Sequence, residues 1–230
     1  MLLGVALTAG AYDFESDGIF YKFNSDSASV MVTYKGTTAT EMKSYYGDVV
    51  IPSSVTCDDI TYPVTIIGEG SFRNCDSLTT VTLPTTITEI QNYAFDGCKA
   101  LTSINLPEGL LRIGYNVFVH AESLRSINIP ESVTSIGNAC FSYTAIESIY
   151  IPRNVTSIGT LGIACNNLTS IVVDSENPNY YSGGGNALVS KSNNRLMSGC
   201  STTVIPETVV TIGSSAFSAL RRWMYLHTLE

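Results

Sequence analysis

Three consecutive stretches of this chain repeat one arrangement of residues, and no other feature constrains its fold as strongly. Leu83-Pro84 is followed by Ile87, Ile90 and Phe95; Leu106-Pro107 by Leu110, Ile113 and Phe118; Ile129-Pro130 by Val133, Ile136 and Phe141. Pro84, Pro107, Pro130 and Pro152 stand 23, 23 and 22 residues apart. A single unit of this length cannot bury its own apolar side chains, so units of fixed period must stack and bury them as continuous ladders. The expected fold is therefore a solenoid of stacked coils.

A period of roughly 20–29 residues with apolar positions in register is the signature of a leucine-rich solenoid. In one coil, Leu101, Ile104 and Leu106 alternate at their end with Ser103 and Asn105, which predicts a short strand with one face buried. Pro107 ends it, because proline cannot donate to a ladder. Leu110 and Ile113 turn inward on the next side of the coil. Gly114, matched by Gly68, Gly137, Gly159 and Gly213, marks a turn that needs a positive φ or a close approach. A short helical turn then packs a phenylalanine inward. Phe72, Phe95, Phe118, Phe141 and Phe217 form this ladder, with Ile163 replacing the ring in one coil. The exposed strand positions form ladders of their own. Thr80, Ser103, Ser126, Ser148 and Ser170 make one; Thr82, Asn105, Asn128, Tyr150 and Val172 make the other. Solenoids bind partners on such surfaces. The candidate binding residues are Thr82, Ser103, Asn105, Ser126, Asn128, Ser148 and Tyr150.

The flanks depart from the period. Residues 1–11 end in Ala9-Gly10-Ala11 and read as the tail of a signal peptide, an apolar first strand being the alternative. Residues 12–48 are expected to form an N-terminal β cap. In it Gly18 to Phe23 and Ser29 to Tyr34 are strands around the turn residues Asn24 to Ser27. The solenoid is expected over 49–230. Its first repeat carries an extra Cys57-to-Pro63 hairpin, and a hairpin insertion occupies about 174–203. The register returns at Ile205-Pro206, and Arg221 to Leu226 reads as a last strand with Trp223 at a core position.

Composition narrows the chemistry. With 44% hydrophobic residues the chain can bury a substantial core. A net charge of −8 argues against nucleic acid or anionic membrane as a partner. No apolar run is long enough to span a bilayer. The six cysteines stand singly, with no C-x-x-C pair. Cys75 and Cys98 each follow their phenylalanine by three residues, which fits small buried packing residues; a disulfide between stacked coils stays open. His120 and His227 have no sequence-visible partners, and the carboxylates are scattered through turns, so no acid–base pair is read. Asp174 and Glu176 lack the spacing of a calcium loop. No metal, cofactor or catalytic residue is expected. Asn154-Val-Thr156 and Asn167-Leu-Thr169 match the glycosylation sequon, which matters only on a eukaryotic secretory route.

The pattern Ile-Pro-x-x-Val-Thr-x-Ile-Gly-x-x-Ala-Phe, matched by Ile129 to Ile136 and by Ile205 to Phe217, resembles the BspA-like leucine-rich repeat of bacterial surface and secreted proteins. Asn177-Pro178-Asn179-Tyr180 and the opening Asp13 to Tyr21 are similar to features of the same family. The resemblance implies a right-handed solenoid of about six repeats of ~23 residues, mostly β with short helical turns. It further implies export, a role in adhesion, and no enzymatic activity. The expected function is a secreted or cell-surface module, monomeric, that binds an extracellular protein or glycan on the exposed strand face. The alternative is a structural spacer of a surface protein with no binding site of its own.

Overall fold

A computed structural model of the protein describes residues 12–36, 43–160, 162–165 and 167–218. All regular structure among them is strand. Three strands open the chain: β1 (Phe14–Ser16), β2 (Ile19–Phe23) and β3 (Val30–Thr33). They form an antiparallel meander, one strand more than the sequence suggests. Next come β4 (Gly47–Val50), β5 (Ser54–Cys57) and β6 (Ile60–Ile67). The last two make the expected hairpin, turning at Asp58 and Asp59, both with positive φ.

The following coils alternate two kinds of strand. β7 (Leu78–Thr82), β9 (Ser103–Ile104), β12 (Ser148–Ile151) and β14 (Ser170–Val173) carry the alternating pattern; β8 (Glu89–Ile90), β10 (Arg112–Ile113), β11 (Ser135–Ile136) and β13 (Ser157–Ile158) lie on the second side of each coil. Stacking pairs like with like, in parallel. Ile90, Ile113, Ile136 and Ile158 are successive register partners. On the first side β4, β7 and β9 form one sheet and β12 and β14 another. The second side continues the meander into a nine-stranded sheet of order β1-β2-β3-β6-β8-β10-β11-β13, with β5 attached to β6. Past it, β15 (Tyr180–Tyr181), β16 (Ala187–Ser190), β17 (Arg195–Gly199) and β18 (Thr211–Ile212) make a separate four-stranded sheet.

The phenylalanine segments are not helical, against expectation. In each, the residues two before and two after the ring take positive φ: Gly70, Tyr93, Asn116 and Ala139 on one side, Asn74, Gly97, His120 and Tyr143 on the other. A left-handed residue every fourth position prevents an α-helix. It also turns alternate amides toward the next coil. Phe72, Phe95 and Phe118 N–H donate to the carbonyls of Ala94, Val117 and Cys140, 2.8–2.9 Å away. Those bonds replace the helical ones and satisfy the buried backbone.

The rings stack between these turns. Phe72, Phe95, Phe118 and Phe141 lie 4.9, 5.5 and 5.6 Å apart and nearly parallel. Tyr45 extends the stack, 4.5 Å from Phe72, and its hydroxyl is satisfied by donating to Thr33 O and accepting from Phe20 N–H. Gly137 shows why the repeat keeps a glycine: a Cβ there would sit 2.4 Å from the Gly114 carbonyl carbon, so coils approach backbone to backbone.

The last coil departs from the pattern it spells. Ile205 and Ile212 occupy buried positions of the repeat yet are 41% and 55% exposed. Burial in a solenoid comes from neighbours on both sides, and among the described residues no coil follows them. Phe217 is half-buried and packs with Ala187, Val189, Leu196 and Ala216, a small cluster apart from the main core. Residues 1–11, Arg221 to Leu226 with Trp223, and His227 lie outside the described residues.

Candidate functional site

The exposed face of β7, β9, β12 and β14 holds the residues singled out from the sequence. Alternation places them there: in β12, Ile149 and Ile151 are buried while Ser148 and Tyr150 point out. Thr82, Ser103, Asn105, Ser126, Asn128, Ser148 and Tyr150 are all exposed. Parallel register sets Val50 beside Thr82, Ser148 beside Ser170, and Tyr150 beside Val172. Ser126 and Asn128 fall outside any strand, in the gap between the two sheets of this face.

The side chains differ in what they have left to offer. Both ends of the Asn105 amide are engaged, accepting from Leu83 N–H (2.8 Å) and donating to Leu83 O (2.9 Å). It thereby prolongs the strand ladder with a side chain. Thr102 and Thr169 hydroxyls likewise donate to carbonyls of the preceding coil. Asp48 accepts from the Thr79 and Thr80 hydroxyls, which holds its carboxyl below the usual carboxylate range. The middle of the face is polar.

Its two ends are not. Tyr46 and Val50 are exposed at one, and Tyr150 (41%) with Val172 (46%) at the other. The Tyr150 hydroxyl donates to Asp174 Oδ2 at 2.5 Å. That bond pushes the Tyr150 phenol up to about 12 and holds Asp174 low. The bond tethers the tip of the exposed side chain, whose strand neighbour is Val172. Arg153 borders the patch, bridging Glu176 (2.7 Å) and Glu131 (3.6 Å) from the neighbouring coils. Sequence reading picked out Tyr150 but missed Asp174 as its partner; the 24-residue separation, one coil plus one, was the available signal.

The other chemistry-bearing residues are structural or surface groups. His120 is an exposed turn residue stacked on Tyr143 at 4.6 Å, with Glu122 4.0 Å away. The six cysteines are free thiols, five of them buried. Burial pushes the Cys75 thiol up to about 11 and Cys165 to about 12, so neither is a poised nucleophile. Asn154 donates from its side chain to Glu131 O. Among the described residues no helix is long and apolar enough to cross a membrane, and no group of three ligating side chains is placed to hold a metal.

A family model described as a BspA type leucine rich repeat region matches residues 50–182 in six copies. A leucine-rich repeat protein of Bacteroides ovatus is 33% identical over 70% of this chain, with a TM-score of 0.63; the match spans 41% of that protein's length. A T. pallidum leucine-rich repeat protein is 29% identical, covering 69% of this chain and 70% of that one, with a TM-score of 0.59. A Faecalibacterium prausnitzii protein described as a leucine rich cell surface protein shares the fold, at 22% identity, a TM-score of 0.56, and coverage of 90% of this chain and 74% of that one. No curated protein matches the sequence.

Proposed function

The chain belongs to the BspA-type leucine-rich repeat family, and from that premise we propose that it is a cell-surface or secreted binding module that holds an extracellular protein or glycan on its exposed strand face. The observation that carries this reading is the patch of Tyr150 and Val172, with Asp174 bonded to the Tyr150 hydroxyl, at one end of a face whose middle is polar. An exposed aromatic ring clamped by a hydrogen bond supplies contact area with little conformational entropy left to lose. Aromatic residues with a polar rim, here Arg153, Glu131 and Glu176, are the ordinary composition of an interface centre. The surface location is supported by the cell-surface description of the F. prausnitzii protein, which shares the fold. The protein acts as a monomer and performs no chemistry on its partner.

The test is a binding screen of the full chain against immobilised matrix proteins, mucins and glycans, with Tyr150→Ala in parallel. Saturable binding that the variant loses by about tenfold or more, the scale of a truncated interface anchor, is the expected result. A folded wild-type chain that binds none of them replaces this reading with that of a structural spacer.

A further inference from the structure

We propose that the cleft where the repeat is interrupted is a binding site for a single sugar carrying a carboxylate. This site lies apart from the strand face and does not depend on the function assigned to it. The nine-stranded sheet ends at β13, and the sheet that follows is the largely antiparallel β15-β16-β17-β18 rather than another coil. Between them a cleft of about 270 Å³ opens. Its origin is visible in the ring ladder. Phe141 stacks on Phe118, but the next coil offers Ile163, which lines the cleft where a phenyl ring would fill it.

The walls select the ligand. Ile158, Ile163, Leu188 and Met197 supply an apolar side, and Ser190, Asn193, Ser198 and Arg195 a polar one. That division suits a pyranose, with its apolar C–H face and hydroxyl-bearing edge. No carboxylate lines the cleft, although acidic residues outnumber basic ones in the chain by 20 to 12. Arg195, like Arg112, forms no ion pair among the described residues, whereas Arg73, Arg125 and Arg153 each do. An unpaired guanidinium facing an acid-free cleft is a bidentate receptor for a carboxylate. Ser198 and Asn193 add hydroxyl and amide groups to the polar wall, of the kind that sugar hydroxyls pair with. The volume lies just under the ~300 Å³ lower bound of typical ligand pockets, which admits one monosaccharide and not a longer chain segment.

The experiment titrates the full chain with N-acetylneuraminic acid and glucuronic acid, and with N-acetylmannosamine and glucose as uncharged counterparts. Saturation-transfer NMR and calorimetry read the binding. At least one acid should bind saturably, about tenfold or more tighter than its uncharged counterpart, and Arg195→Gln should remove that margin, as loss of a charge-assisted pair does. Ile163→Phe, which fills the cleft, should abolish binding while raising the unfolding midpoint. Circular dichroism checks that each variant is folded. The proposal is overturned if neither acid binds at millimolar concentration, if acid and uncharged sugar bind alike, or if folded Arg195→Gln keeps the wild-type affinity.

Discussion

The coils between Leu78 and Ile158 and the segment between Asp174 and Ser218 use a similar alphabet and are held together differently. In the first, each unit is fastened to its neighbours by parallel ladders, by amides donated to the next coil, and by nearly parallel rings in one continuous core. In the second, strand pairing is mostly antiparallel, a small second cluster replaces the ring stack, and individual polar side chains make the joints. Asn177 is the clearest of these. Fully buried, it donates to Pro152 O and Val155 O and accepts from Asn179 and Tyr180 N–H. Tyr180 in turn accepts from Ile158 N–H, the edge that a further coil would have covered. Periodic structure distributes its stability over many equivalent contacts; an insertion concentrates it in a few specific ones. The candidate cleft lies at the junction of the two.

Four changes break or sharpen that comparison. Phe118→Ala removes the middle of the ring stack and should lower global stability by about 3–5 kcal/mol, read by denaturant unfolding. Asn177→Ala strips partners from two buried carbonyls and two amides and should lose about 2–4 kcal/mol. That loss should be confined to the insertion, so exchange of amides in 187–199 rises while those of the ring stack hold. Ala139→Gly relieves a left-handed alanine (φ 49) inside a regular coil and should stabilise by about 0.5–1 kcal/mol. A gain of this kind marks strain stored by the ladder rather than by the insertion. The smallest effect joins the two regions across the Tyr150–Asp174 bond. Asp174 titrates below its ordinary value, so this bond helps the folded state above about pH 4 and stops helping as pH falls through the lowered pKa. Carboxyl-carbon NMR should show the Asp174 midpoint moving back up in Tyr150→Phe.

Much of this architecture is legible in the sequence because the period repeats its evidence. Pro84, Pro107 and Pro152 follow strands of the exposed face, and Phe72, Phe95, Phe118 and Phe141 are the ring stack. The phenylalanine segments, expected as short helical turns, depart from that reading. The left-handed residues that forbid one are glycine only at Gly70 and Gly97 and are otherwise Tyr, Asn, His or Ala. Tyr45 escapes notice as a stack member because it precedes Phe72 by more than one period, on a segment without the motif. Ile205 and Ile212 show the opposite error. Their letters match the repeat, but burial is a property of the neighbours and not of the letters. On the strand face the sequence identifies which side chains point outward. It does not show that the Asn105 amide is already engaged, or that Tyr150 is held by a residue in the following coil.

Native-state hydrogen exchange of the full chain tests the contrast between ladder and insertion most directly. The coil-to-coil amides of Phe95, Gly114, Phe118 and Gly137 should exchange together and only through global unfolding, with those of 187–199 opening at clearly lower free energy. Equal protection across both regions, or earlier opening of the ring stack, would contradict the account.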